Sequence, residues 1–227
     1  MRFSGYASVS AIITMQTFTN KAGSVIVDKL ILVIQENKQY LSDIDGLTGD
    51  GDHGINMNKG FTMCREELDK NPGDLSYSLK VLAKILIMKI GGSMGPLYGK
   101  FFKAIGTALE GKEEIGITEM GEALKAAVNS IASISPAKVG DKTLIDTLVP
   151  AQAAYERAQV EGKTLSEALE AMKIAAAKGR DSTKDMVAKL GRASRLGERS
   201  RGVLDAGATS CCLILHVIAD AGKDILY

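Results

Sequence analysis

Leu75-Ser-Tyr-Ser-Leu79-Lys-Val-Leu82-Ala-Lys-Ile-Leu86-Ile-Met-Lys-Ile90-Gly-Gly-Ser-Met-Gly95-Pro-Leu97-Tyr-Gly-Lys-Phe101-Phe-Lys-Ala-Ile105-Gly-Thr-Ala-Leu109 decides the fold class. Leu75, Leu79, Leu82, Leu86 and Ile90 recur at helical spacing, and so do Leu97, Phe101, Ile105 and Leu109. Each set puts one apolar stripe on a helix, and the glycine-rich run between them is a turn. The same period recurs on both sides. Val27, Leu30, Ile34 and Leu41 predict a helix over residues 21–41, and Leu124, Val128 and Ile131 a shorter one. Leu144, Leu148, Ala151 and Tyr155 open another, running toward Gly162. Thr164-Leu-Ser-Glu167 is a capping box, after which Leu165, Leu169, Met172 and Ala176 form a stripe expected to stop at Gly179. A short helix over residues 181–190 and a last one over 206–227 complete the set. Alternating β patterns are missing, so the expectation is an all-α bundle in a single domain.

Composition agrees. The 227 residues are 45% hydrophobic and 24% charged, an ordinary globular balance that argues against disorder. With 28 basic and 27 acidic residues the net charge is +1, which argues against a nucleic-acid binder working by bulk electrostatics. No apolar stretch reaches the roughly 18 to 20 residues a membrane-spanning helix needs. Three cysteines, Cys64, Cys211 and Cys212, are an odd count without ligand spacing, and read as buried thiols in a reducing, cytoplasmic chain. Residues 1–14 read as an N-terminal extension, with the helical domain spanning 15–227.

The chemistry is concentrated in four connections. Asp45-Gly-Leu-Thr-Gly-Asp50-Gly-Asp52-His53-Gly54 brings three carboxylates into one turn, where their repulsion calls for a cation. Oxygen-only donors suit Mg2+, and an EF-hand fails because Gly54 and Phe61 stand at its fifth and twelfth positions. A solvated acidic turn is the plain alternative. His53 and Asn56 lie at the start of the next helix, where anions are attracted; His53 could contact a phosphate, orient a carboxylate or cap the turn. Zinc is a poor fit, since the other histidine, His216, sits in an apolar helix and reads as core.

Residues 91–100 are glycine-rich but miss the Walker spacing, with Phe101 after the lysine. They suit a phosphate-wrapping or simple packing turn. Residues 191–202 hold four arginines, a guanidinium cluster for phosphate oxygens or a solvated basic loop. Gly140-Asp-Lys-Thr143 serves either helix capping or a ligand contact. Together the four read as a Mg2+-nucleotide site.

These motifs, in this order, resemble the nucleotide-binding L subunits of dihydroxyacetone kinases over residues 15–227. The resemblance implies a closed barrel of about eight antiparallel helices with the nucleotide at one end. It implies Mg2+, as a pair of ions, on Asp45, Asp50 and Asp52, with ADP or ATP beside it. His53, Asn56, Gly92, Ser93, Arg192, Arg199 and Asp205 would surround the nucleotide, joined by Met94, Gly140 and Thr143 from the same loops. Arg192 or Arg199 would stabilise the charge on the departing phosphoryl group. The implied enzyme is a phosphotransferase active only with a partner: a K subunit holds dihydroxyacetone, and a phosphotransferase-system protein recharges bound ADP from phosphoenolpyruvate. Neither nucleic acid nor membrane is an expected partner. Met94 stands where the family usually has Ser, Arg195 where it has an aromatic residue, and Ala206 where Pro is common. Two other readings keep the same parts: an ATP-dependent kinase subunit for another short ketose, or a nucleotide-loaded regulatory module that transfers nothing.

Overall fold

The computed structural model describes residues 16–227, so the extension expected at 1–14 lies outside the described residues. The all-α expectation holds. Helices α1 (Ser24–Glu36), α2 (Lys38–Thr48), α3 (His53–Leu68), α4 (Leu75–Lys89), α5 (Met94–Ala108), α6 (Ile117–Ala132), α7 (Ile145–Val160), α8 (Leu165–Ser182) and α9 (Ala206–Asp224) carry the architecture. A two-residue antiparallel ladder pairs β1 (Phe18–Thr19) with β2 (Glu114–Ile115), and Phe18 faces Ile115.

From α3 onward each helix packs on its successor, α1 packs on α3, and α9 returns to α1, closing a ring of eight helices. Short links between packed neighbours force alternating directions. The C-terminal ends of α2, α4, α6 and α8 therefore gather at one end of the ring with the N-terminal ends of α3, α5, α7 and α9. The stripes point inward. Val27, Leu30, Ile34, Leu82, Leu86, Ile105, Leu124, Leu148 and Leu169 are all buried, and Phe61, Phe101 and Phe102 meet edge to face. Local signals set several helix starts: Asp74 Oδ1 accepts the Tyr77 N–H at 2.8 Å, and Thr164 with Glu167 forms the expected capping box.

Three expectations need correction. The helix read over 21–41 is broken at Asn37, whose side-chain amide donates to the Val33 carbonyl at 2.8 Å; a side chain bonding its own backbone competes with helix continuation, and α2 restarts beyond it. Gly179 does not stop α8, which runs on to Ser182. It is a close-approach residue: a Cβ there would lie 2.2 Å from the Asp146 carbonyl of α7, which Pro150 cannot engage because it has no N–H. The helix expected over 181–190 is a single 3-10 turn, Thr183–Asp185, followed by a 3-10 segment, Arg192–Ser200.

Gly54, in the first turn of α3, is another such contact. A Cβ there would sit 2.0 Å from the Lys38 carbonyl oxygen and 2.8 Å from the Ser42 amide nitrogen of α2. Main chain cannot rotate away as a side chain can, so Gly54→Ala is expected to destabilise by about 3 kcal/mol or more. Urea unfolding would show a lower midpoint at unchanged slope; a midpoint equal to the wild type would contradict the α2–α3 approach.

Candidate functional site

Asp45 belongs to the last turn of α2, and Asp50 and Asp52 to the link before α3, which turns at Gly51 with φ of +75°. One carboxylate oxygen from each converges with the others to within 4.8 Å. Three like charges at that separation repel unless a cation offsets them. Arg192, from the 3-10 segment, contacts Asp50. Asp45 also accepts the His53 amide N–H, at 3.4 Å.

His53 turns its ring inward. Its Nε2 lies 2.9 Å from Ser210 Oγ, which lies 2.6 Å from the Tyr98 hydroxyl, and that hydroxyl donates to the Gly207 carbonyl at 3.0 Å. The chain of contacts ties together the first turns of α3, α5 and α9. Burial pulls the His53 pKa down to about 4 against the opposing field of Asp45, so the ring is neutral near pH 7. Asp205 caps α9 by accepting the Ala208 N–H at 2.7 Å, and burial pushes its carboxyl up to about 6. The α5 start differs, because Ser93 occupies the cap position without a side-chain cap bond. Its hydroxyl and the neighbouring first-turn amides border open space, the arrangement that binds anions.

That space is a cavity of about 350 Å3 at the end where the four N-termini meet. Asp45, Asp50, Asp52, His53, Asn56, Gly92, Ser93, Met94, Thr143, Arg192 and Asp205 line it, so the structure brings together most of the residues expected from sequence. Two are left out. Arg199 is exposed and lies outside the lining, and Gly140 is occupied elsewhere, donating its N–H to Asp146 Oδ1 at 2.5 Å. Leu97, Ile131, Pro136 and Leu144 add apolar surface to the lining. The cavity thus offers both charged groups for oxygen atoms or metal and apolar surface for a flat group.

Sequence reasoning missed Tyr98 and Ser210. Tyr98 sits inside the quoted glycine run, but a lone serine in the apolar stretch of α9 carries no signal. The cysteines and the second histidine are not among the residues lining the cavity. Cys64, Cys211 and Cys212 are buried free thiols, and half-buried His216 places Nε2 3.2 Å from the Lys173 carbonyl and 3.4 Å from Cys212 Sγ. No helix among the described residues is long and apolar enough to cross a membrane.

A family model described as the DAK2 domain matches residues 47–220, taking in Asp50, Asp52 and all the later loops of the cavity. The chain belongs to the DAK2-domain family. The resemblance carried by the four loops therefore holds. It is 34% identical over 196 residues to the PEP-dependent dihydroxyacetone kinase ADP-binding subunit DhaL of Escherichia coli (strain K12), covering 85% of this chain and 92% of that one. It is 37% identical over 186 residues to the PEP-dependent dihydroxyacetone kinase 1 ADP-binding subunit DhaL of Listeria innocua, covering 82% of this chain and 88% of the relative. These DAK2-domain relatives are named as kinase subunits, that is, as parts of phosphotransferases. The crystal structure of the dihydroxyacetone kinase from C. freundii in complex with AMP-PNP and Mg2+ matches with a TM-score of 0.64 at 23% identity, over 97% of this chain and 38% of that one. That likeness is one of fold.

Proposed function

We propose that this chain is the nucleotide-holding subunit of a dihydroxyacetone kinase, with ADP and Mg2+ as standing cofactors. It would pass a phosphoryl group to dihydroxyacetone held on a separate K subunit, and a phosphoenolpyruvate-dependent phosphotransferase protein would recharge the ADP. One observation carries the reading: three converging carboxylates share a cavity with the uncapped N-terminus of α5. The relatives at 34% and 37% identity, matched along 92% and 88% of their length, are named PEP-dependent and ADP-binding, which supports the same donor and nucleotide here.

The donor set fits the metal, since it contains only hard oxygen ligands and, among the described residues, Arg192 is the one arginine in contact with it. Mg2+, when bound, would supply charge that offsets that of the nucleotide phosphates. Asp45, Asp50 and Asp52 hold it, as a pair of ions. Ser93 and the backbone N–H groups beside Gly92 and Met94 hold phosphate oxygens, with Asn56, Thr143 and Asp205 at the cavity edge. The apolar surface of Leu97, Ile131 and Pro136 accepts the base and excludes water. Neutral His53 bears no charge toward the phosphates; it holds the first turn of α3 against α9. Arg192 stands where it offsets charge on the phosphoryl group as that group leaves.

The test begins with protein as purified. Denaturation is expected to release ADP, identified by anion-exchange chromatography, and a chelator wash beforehand is expected to remove it. Free exchange of Mg-ATP instead of retained ADP would refute the phosphoenolpyruvate-fed arrangement in favour of an ATP-dependent kinase for this or another short ketose. No nucleotide uptake at all would overturn the site.

A further inference from the structure

One buried cation among the residues lining the cavity has been given no part in holding metal or nucleotide. Lys142 is 2% exposed, and its ammonium is spent on backbone carbonyls. Nζ donates to the carbonyls of Ser200 at 2.6 Å, Val203 at 2.7 Å, Thr183 at 2.8 Å and Met186 at 3.3 Å. An ammonium has three N–H donors, so the four acceptors share them. All four carbonyls belong to the link between α8 and α9. That link carries Arg192 and delivers Asp205 to the start of α9.

Apart from Lys142, the link is held at a few polar points. Residues 189–199 are exposed or half-buried, and Gly191, Gly197 and Gly202 all have positive φ. Its other ties are polar: Ser200 Oγ accepts the Ala188 N–H at 2.9 Å, Gly202 donates to the Lys184 carbonyl at 2.8 Å, and Asp205 donates its N–H to Thr183 Oγ1 at 3.1 Å. Lys189 reaches Asp141 through its N–H and its ammonium, each at 3.2 Å, and Arg192 meets Asp50. The turn that presents Lys142 is braced instead. The Asp146 carboxylate accepts N–H groups from Gly140 at 2.5 Å and Thr143 at 2.8 Å, so the turn is anchored to the first turn of α7. Lys142 itself has φ of 60°, a left-handed conformation uncommon for a residue with a side chain and kept only where the surroundings enforce it.

We propose that Lys142 is a positioning residue, an internal cation that gathers four carbonyls of the α8–α9 link and thereby holds Arg192 over the carboxylate cluster. Its effect on nucleotide rests on the reading given under Proposed function; its effect on the link does not. Removing the charge leaves four carbonyls without their shared donor, and the link opens. The ring stays intact, because its helices meet through apolar side chains.

The experiment compares Lys142→Met with the wild type in the full chain. Trypsin cleavage between residues 184 and 201 is followed without nucleotide, dissociation of a fluorescent Mg-ADP analogue is timed, and helical content is read by circular dichroism. The expected result is cleavage accelerated about tenfold or more and dissociation accelerated about 10- to 100-fold, the usual range for a group that orients a binding residue, at unchanged helicity. Wild-type rates in either assay would overturn the proposal. Should Lys142→Met not fold, Lys142→Arg decides: a planar fork cannot seat among carbonyls converging on a point, so the same two rates rise, and wild-type rates again refute it. If the wild type binds no nucleotide, the functional reading fails while the cleavage comparison still tests the strap.

Discussion

Asp50→Asn is expected to abolish Mg2+-dependent nucleotide retention, lowering affinity by at least about 100-fold. Groups that merely orient a metal's ligands are worth about 10- to 100-fold, so a direct ligand belongs at or above the upper end. Charge sets the size of the effect. Three carboxylate oxygens within 4.8 Å make a site whose attraction for a divalent cation is set by the number of negative charges it holds, and Asn keeps the shape while removing one. The same change should leave the metal-free protein as stable as the wild type, or slightly more so, because it relieves repulsion with Asp45 and Asp52. The contact with Arg192 that it weakens is largely solvent-exposed and contributes little to stability. Isothermal titration with Mg-ADP, paired with a melting curve, separates loss of binding from loss of fold. Wild-type retention in Asp50→Asn would refute the metal assignment.

Arg192→Ala and Arg199→Ala should then part company. With the K subunit and phosphoryl donor supplied, Arg192→Ala is expected to slow dihydroxyacetone phosphorylation by about 10²- to 10³-fold, the range for removing one donor that meets developing charge. Arg199→Ala should stay within about threefold, since surface changes away from a site rarely do more. Arg192 lines the cavity and reaches Asp50, whereas Arg199 is exposed and outside it. If Arg192 acts on charge that develops during transfer, kcat falls more than nucleotide affinity. Equal losses in the two variants, or a loss confined to Arg199→Ala, would reverse the assignment.

Both predictions show where sequence reasoning was sufficient and where it was not. The acidic turn was legible because Asp45, Asp50 and Asp52 lie within eight consecutive residues, so local chain geometry alone brings them near one another. The choice between Arg192 and Arg199 was not legible. Both belong to one basic loop, and the path of that loop depends on carbonyls captured by Lys142, some forty to sixty positions earlier in the chain. Gly179 and Asn37 misled for related reasons. A glycine reads as a stop, yet here it allows α7 to come close; an asparagine inside a clean stripe broke the helix through its own side chain.

What the sequence determined by itself is the all-α class, most of the helices, their inward faces and the clustering of chemistry in the connections. Helical period, caps and turn residues act over a few positions, so they are written locally. Only the tertiary structure decided that α9 closes the ring on α1, that four helix starts surround one cavity, and that His53 is drawn inward to Ser210 and Tyr98. Ring closure depends on how apolar faces far apart in the chain pack together, and the His53 contacts on buried polar groups finding partners once that packing is in place.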